Sequence, residues 1–172
     1  GAYSHLASLE VFPNANVEPC ATFEEAFQLA KENLEYKIII PIENSLAGRV
    51  ADIHYLIPKY KLQIHGEHFQ KVNHNLLGIK GSKIEDIKTV RSHSQAIGQC
   101  KKIILNNNLK AIVSADTAGS AKFIAEKKDK TESAIASNLA AKIYNLEILK
   151  TNIEDEQGNV TRFFIMGKEL KH

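Results

Sequence analysis

Thr161, followed by Arg162 and Phe163, heads the apolar run NVTRFFIM near the C-terminus. Alone it is a short polar break before an apolar strand, and its hydroxyl gains chemical meaning only where the rest of the chain builds a cleft and brings other polar groups opposite Thr161. Three other places put small hydroxyl and amide side chains where a strand is expected to give way to a helix: Asn44-Ser45, Ser92-His93-Ser94-Gln95 and Asp116-Thr117-Ala118-Gly119-Ser120. Exposed N–H groups and the helix dipole suit such junctions to anions, at about 0.3–1 kcal/mol each for a nearby charge. N-capping accounts for any one of them; three together point to a small ligand with more than one carboxylate. Gln99 borders the apolar side made by Ala96, Ile97, Cys100, Ile103 and Ile104, and its role depends on its neighbours.

Other chemistries find less support. His65, His68 and His74 lie in extended sequence without an HExxH pattern, and His65 and His68 fall on opposite strand faces, so no metal site is expected. Gly78 and Gly81 form neither a dinucleotide fingerprint nor a phosphate loop, and no GxSxG nucleophile is present. The net charge of +2 comes from 22 basic and 20 acidic residues spread along the chain. Nucleic-acid binding would need them clustered. No apolar run approaches the length of a membrane span. Cys20 and Cys100 have no CxxC spacing and read as free thiols in a reducing cytoplasm.

The elements that must position these residues follow from periodicity. Ser4 is expected to cap a short helical turn with Tyr3 and Leu6 beneath it. Thr22 to Glu25 reads as a capping box, followed by an apolar face of Phe23, Ala26, Phe27, Ala30 and Leu34. Residues 38–42 fit a buried parallel strand, and Asn44-Ser45 is expected to open a helix with Leu46, Val50, Ile53 and Ile57 on one side. Residues 62–80 alternate as β-structure. Strands at 87–91, 111–114 and 134–136 each precede a helix, at 93–106, 117–127 and 138–145, which predicts βαβ units and a parallel sheet. A strand at 146–149 and a polar loop at 151–159 lead to a last strand at 160–167 that returns to the first lobe. The expected architecture is two α/β lobes, 1–74 with 155–172 and 75–154, joined by two crossings. Ligands of such folds bind beyond the carboxyl ends of strands.

Taken together, GAYSHLA, PIENSLAGRV, LQIHGEHFQKVNHNLLG, VRSHSQAIGQC, DTAGSAKFIAE, AIASNLAAKIYNLEIL and NVTRFFIM resemble prephenate dehydratase motifs in order, over nearly the whole chain. The resemblance implies a bilobal periplasmic-binding-protein-like (type II) α/β fold with the active site in the cleft between two subdomains. The implied reaction converts prephenate to phenylpyruvate, water and CO2 in phenylalanine biosynthesis, with no cofactor. It assigns the essential hydroxyl to Thr161 and further catalytic positions to Asn44, Ser92 and Gln99. Ser45, Gln95, Thr117, Arg162 and Phe163 are the substrate-binding candidates beside them. Strand alternation points Arg162 away from Thr161, which favours a structural ion pair for it. Here Ser94 stands where the family motif has proline. The expectation is a catalytic module without its ACT regulatory domain and without the strand that precedes GAYSHLA in the family, acting as a homodimer. Arogenate dehydratase and a non-catalytic carboxylate-binding module are the alternatives.

Overall fold

The computed structural model describes residues 2–169. Its helices are α1 (Ala2–Val11), α2 (Phe23–Glu32), α3 (Ala51–Tyr60), α4 (Ser94–Gly98), α5 (Lys101–Asn106), α6 (Thr117–Lys127) and α7 (Asn138–Ile143). Its strands are β1 (Ile38–Asn44), β2 (Gly48–Arg49), β3 (Gln63–Lys71), β4 (Asn75–Gly78), β5 (Thr89–Ser92), β6 (Lys110–Val113), β7 (Glu132–Ala136), β8 (Glu147–Lys150) and β9 (Val160–Gly167). The chain divides into two compact α/β units: Tyr3–Val72 with the segment from Gly158 on, and Asn73–Gln157. Among the described residues no helix is long and apolar enough to cross a membrane.

The first unit holds a four-stranded sheet in the order β2-β1-β9-β3, antiparallel throughout. The parallel pairing expected for residues 38–42 is therefore wrong. An apolar run reports burial, but the direction of a neighbour that arrives more than a hundred residues later is not a local property. Helices α2 and α3 bury Phe27, Ala30, Ile53 and Leu56 against Ile38, Ile40 and Met166. Thr22 begins α2: its Oγ1 accepts from Glu25 N at 3.1 Å, and the Glu25 carboxylate accepts from Ala21 N at 3.0 Å. Helix α1 starts before Ser4, so Ser4 does not cap it; instead its carbonyl accepts from Ser8 Oγ at 2.8 Å. The Tyr3 side chain lies outside the described residues.

The second unit holds a mixed sheet in the order β6-β5-β7-β4-β8. The βαβ expectation holds for β5, β6 and β7, which run parallel, while β4 pairs antiparallel with both β7 and β8. Alternating residues face two cores: Leu76 and Ile135 pack with Ala96, Cys100 and Ile103, and Leu77 and Ala134 pack with Ala121, Ile124 and Ala140. The single helix expected over 93–106 is broken at Gln99-Cys100 into α4 and α5. Asp155 causes the restart from outside the segment, its carboxylate accepting from Lys101 N at 2.8 Å and Lys102 N at 2.9 Å.

Candidate active site

Thr161 sits on β9 between two strands, opposite Asn44 of β1 and Gln70 of β3. Directly opposed residues of an antiparallel ladder share a face, so the three side chains lie in one row. Asn44 Nδ2 donates to Thr161 Oγ1 at 3.0 Å and to Asn159 Oδ1 at 2.6 Å, with Val160 O at 3.5 Å. Asn44 Oδ1 accepts from Leu46 N and Ala47 N, each at 2.9 Å. Backbone donors at Oδ1 fix the amide orientation, so the nitrogen must face Thr161. Thr161 Oγ1 is thus the acceptor in that contact, and its own proton remains available for donation.

These bonds also correct the expected helix at Asn44-Ser45. The Asn44 carboxamide closes a turn, Gly48 takes φ +85, and Arg49 pairs back with Glu43, which makes a hairpin. The left-handed backbone at Gly48 suits a residue without Cβ. Helix α3 starts only at Ala51, and Leu46 points outward, 38% exposed. Ser45 therefore offers no helix N-terminus to a substrate. Its Oγ donates to Gly158 O and accepts from Val160 N, both at 2.9 Å, and its N–H donates to Val160 O at 2.9 Å. It fastens the turn to the start of β9.

Arg162 lies on the opposite face of β9. Its guanidinium meets Glu67 Oε2 at 2.6 Å through NH2 and Glu43 Oε1 at 3.2 Å through NH1, and it stacks over Phe164 at 5.1 Å. Those acids hold its pKa above the ordinary arginine value, Glu67 more strongly than Glu43. With its guanidinium engaged by both carboxylates, Arg162 serves as an ion-pair strut, and the expected substrate-binding role finds no support. Phe163 is 1% exposed, opposed by Pro41 and His68. It belongs to the interior of its unit, which leaves it no surface to offer a ligand.

In the other unit, β5, β6 and β7 end at the same sheet edge, and α4, α6 and α7 begin there. Ser92 does not cap α4. It is fully buried, and its Oγ donates to Ile135 O at 2.8 Å, clamping β5 to β7. The cap is His93, whose Nδ1 accepts from Gln95 N at 3.1 Å; the Gln95 side chain is exposed. Thr117 is the first residue of α6, but the Asp116 carboxylate already accepts from Gly119 N there. A resident carboxylate opposes a second anion, so the carboxylate site expected at Thr117 is not supported. At the junction of β7 and α7, Ser137 Oγ accepts from Ala140 N at 3.2 Å and carries the same hydroxyl-before-helix signal.

Gln99 is half-buried, and its Oε1 accepts from His74 Nε2 at 2.7 Å. His74 is 3% exposed, and burial holds its pKa below the usual histidine value against the opposing pull of Gln99 and Glu154. Because Gln99 Oε1 can only accept, this contact takes its proton from His74 Nε2. Among the described residues no three His, Cys, Asp or Glu side chains are grouped so as to hold a metal ion. Sequence reasoning weighs His74 only as a metal ligand and misses Asn159 and Gln70. Asn159 and Gln70 are buried amides, which patterns of polarity place in loops or on surfaces.

A family model described as prephenate dehydratase matches residues 1–171. A bifunctional N-acyl-homoserine lactone acylase/prephenate dehydratase of Komagataeibacter europaeus is 43% identical over 168 residues, 98% of this chain and 60% of that one. An arogenate dehydratase/prephenate dehydratase of Arabidopsis thaliana is 44% identical over 169 residues, 98% of this chain and 43% of its own length. The chain thus spans about half the length of these relatives. The solved prephenate dehydratase of Staphylococcus aureus superposes with a TM-score of 0.87 at 26% identity, over 99% of this chain and 64% of that one.

Proposed function

We propose, from the premise that this chain belongs to the prephenate dehydratase family, that it converts prephenate to phenylpyruvate, water and CO2. The bond from the ring to its carboxylate breaks and CO2 leaves. The electron pair enters the ring as the C–O bond on the opposite ring carbon breaks, and the ring becomes aromatic. The departing oxygen must gain one proton to leave as water. Thr161 is the donor: its hydroxyl hydrogen-bonds the leaving oxygen and relays a proton that solvent replaces. The single observation that carries this is the bond from Asn44 Nδ2 to Thr161 Oγ1. It turns the Thr161 lone pair inward and leaves the O–H to the substrate. A threonine hydroxyl is a weak acid, so a donor held in place serves the reaction better than one that must ionise.

Gln99 keeps the substrate-orienting role that the resemblance gives it, with His74 behind it. Ser92 keeps its own only through the lone pairs that its bond to Ile135 leaves. Cytoplasmic residence and a homodimer belong to the same proposal. Arogenate is the second reading, favoured by relatives such as a Petunia hybrida arogenate dehydratase, 40% identical.

The test offers prephenate and arogenate separately to the purified chain. Phenylpyruvate absorbance and phenylalanine formation are followed, with calorimetry for binding. A higher kcat/KM on prephenate supports the main reading, and a higher value on arogenate the second. Binding of either without product indicates a non-catalytic module.

A further inference from the structure

We infer that Asn159 is a positioning residue for Thr161, acting through the Asn44 carboxamide; this rests on the dehydratase reading above. A carboxamide has two N–H donors and one oxygen with two lone pairs. In Asn44 all four are used within its own unit: Leu46 N and Ala47 N reach the oxygen, and the nitrogen reaches Asn159 Oδ1 and Thr161 Oγ1. No donor of Asn44 is left for a substrate. Asn44 therefore works by aiming Thr161, and its aim depends on what holds its other N–H.

Asn159 Oδ1 holds it, at 2.6 Å, the shortest contact from that nitrogen, against 3.0 Å to Thr161 Oγ1 and 3.5 Å to Val160 O. Asn159 is itself immobilised. It is 2% exposed, and its carbonyl accepts from Val72 N at 2.8 Å. Its neighbours Gly158 and Val160 are both tied to Ser45. The segment leading into β9 is thus bound at three successive residues, and Asn159 is the one that reaches the amide beside Thr161. Rotating that amide by a fraction of its bond length would swing the donor off Oγ1. Misplacements of about 1 Å at a reacting group cost about a hundredfold in rate.

The test compares Asn159→Ala and Asn159→Asp, each alone and with Asn44→Ala. Asn159→Ala is expected to lower kcat at least about tenfold with KM changed less than about threefold, as for a group that acts only in the transition state. Asn159→Asp keeps an acceptor oxygen in place and is expected to retain at least about a third of the wild-type kcat. In the Asn44→Ala background the Asn159→Ala loss should vanish, because the path to Thr161 is already cut. The same loss in both backgrounds, or an Asn159→Ala kcat within about twofold of wild type, overturns the inference. Should Asn159→Ala not fold, an Asn159→Asp variant that folds but loses turnover overturns it as well. Solvent exchange of the Asn44 side-chain NH2, followed by NMR, should accelerate in Asn159→Ala. That arm reads the contact whatever the substrate: turnover failing in the wild type defeats the dehydratase reading, and unchanged exchange defeats the role of Asn159.

Discussion

Replacing Asn44 by alanine separates a substrate-binding amide from one that works through its neighbour. The variant removes two bonds to the exposed Leu46 and Ala47 N–H groups, which water replaces at little cost. It also takes one donor from the Oδ1 of Asn159, a residue only 2% exposed. A lost bond to a buried acceptor costs about 1–3 kcal/mol, or about 2–4 °C in Tm for each kcal/mol in a chain of this size. Catalysis should suffer through Thr161, which loses the bond that orients its hydroxyl. One misdirected donor costs about 10² to 10³ in kcat, near 3 kcal/mol of barrier. Asn44→Ala should therefore lose no more than Thr161→Val, and the double variant should lose no more than Thr161→Val alone. Initial rates of phenylpyruvate formation and thermal melts supply both quantities. An Asn44→Ala kcat within about threefold of wild type refutes the aiming role, and so does a double variant about a hundredfold slower than Thr161→Val.

Burial lowers the His74 pKa in the fold, whereas the unfolded chain takes up its proton near the ordinary 6.5. The unfolded state then binds more protons between those two values, so stability falls as pH drops below about 6.5 toward the folded value. The decline of Tm from pH 7 to pH 5 should be shallower in His74→Gln, and an identical decline in both proteins contradicts this. Cys100 is fully buried, and burial pushes its thiol up to about 12, with Asp155 and Glu154 adding to the effect. A thiol reagent at pH 8 should modify Cys20 first and Cys100 only at the unfolding rate. Equal labelling of the two would show that the α5 core opens in the native state. At Gly78 an added Cβ would stand 2.9 Å from Leu149 Cδ1 and 3.1 Å from Ser82 Cβ. Gly78→Ala should destabilise the chain by about 1–3 kcal/mol in denaturant melts, and an unchanged midpoint would show that the loop yields.

Much of this molecule was legible because its signals are local. Asp116 before Thr117 bounded α6 correctly, and the alternation of strand and helix from Thr89 to Ile143 gave the parallel strands. Strand alternation also separated Thr161 from Arg162, and the ion pairs with Glu43 and Glu67 lie where it pointed. What stayed hidden is non-local. Asn44-Ser45 reads as a helix start in one dimension; only contact with Gly158 and Val160, more than a hundred residues on, shows that those polar groups tie a hairpin. Asp155 breaks a continuous helical pattern at Cys100 from fifty residues away. Asn159 looked like loop polarity, and its use emerges only beside Asn44.

The most direct measurement is turnover of prephenate by the wild-type chain and by Thr161→Val and Thr161→Ser, with folding of each confirmed by its melt. Thr161→Val keeps the shape and removes the hydroxyl, while Thr161→Ser keeps the hydroxyl. Wild type should release phenylpyruvate, Thr161→Ser should retain measurable turnover, and Thr161→Val should fall about 10² to 10⁴-fold. Phenylpyruvate formed by folded Thr161→Val within about tenfold of the wild-type rate would contradict the account, because the leaving oxygen would then be protonated without Thr161.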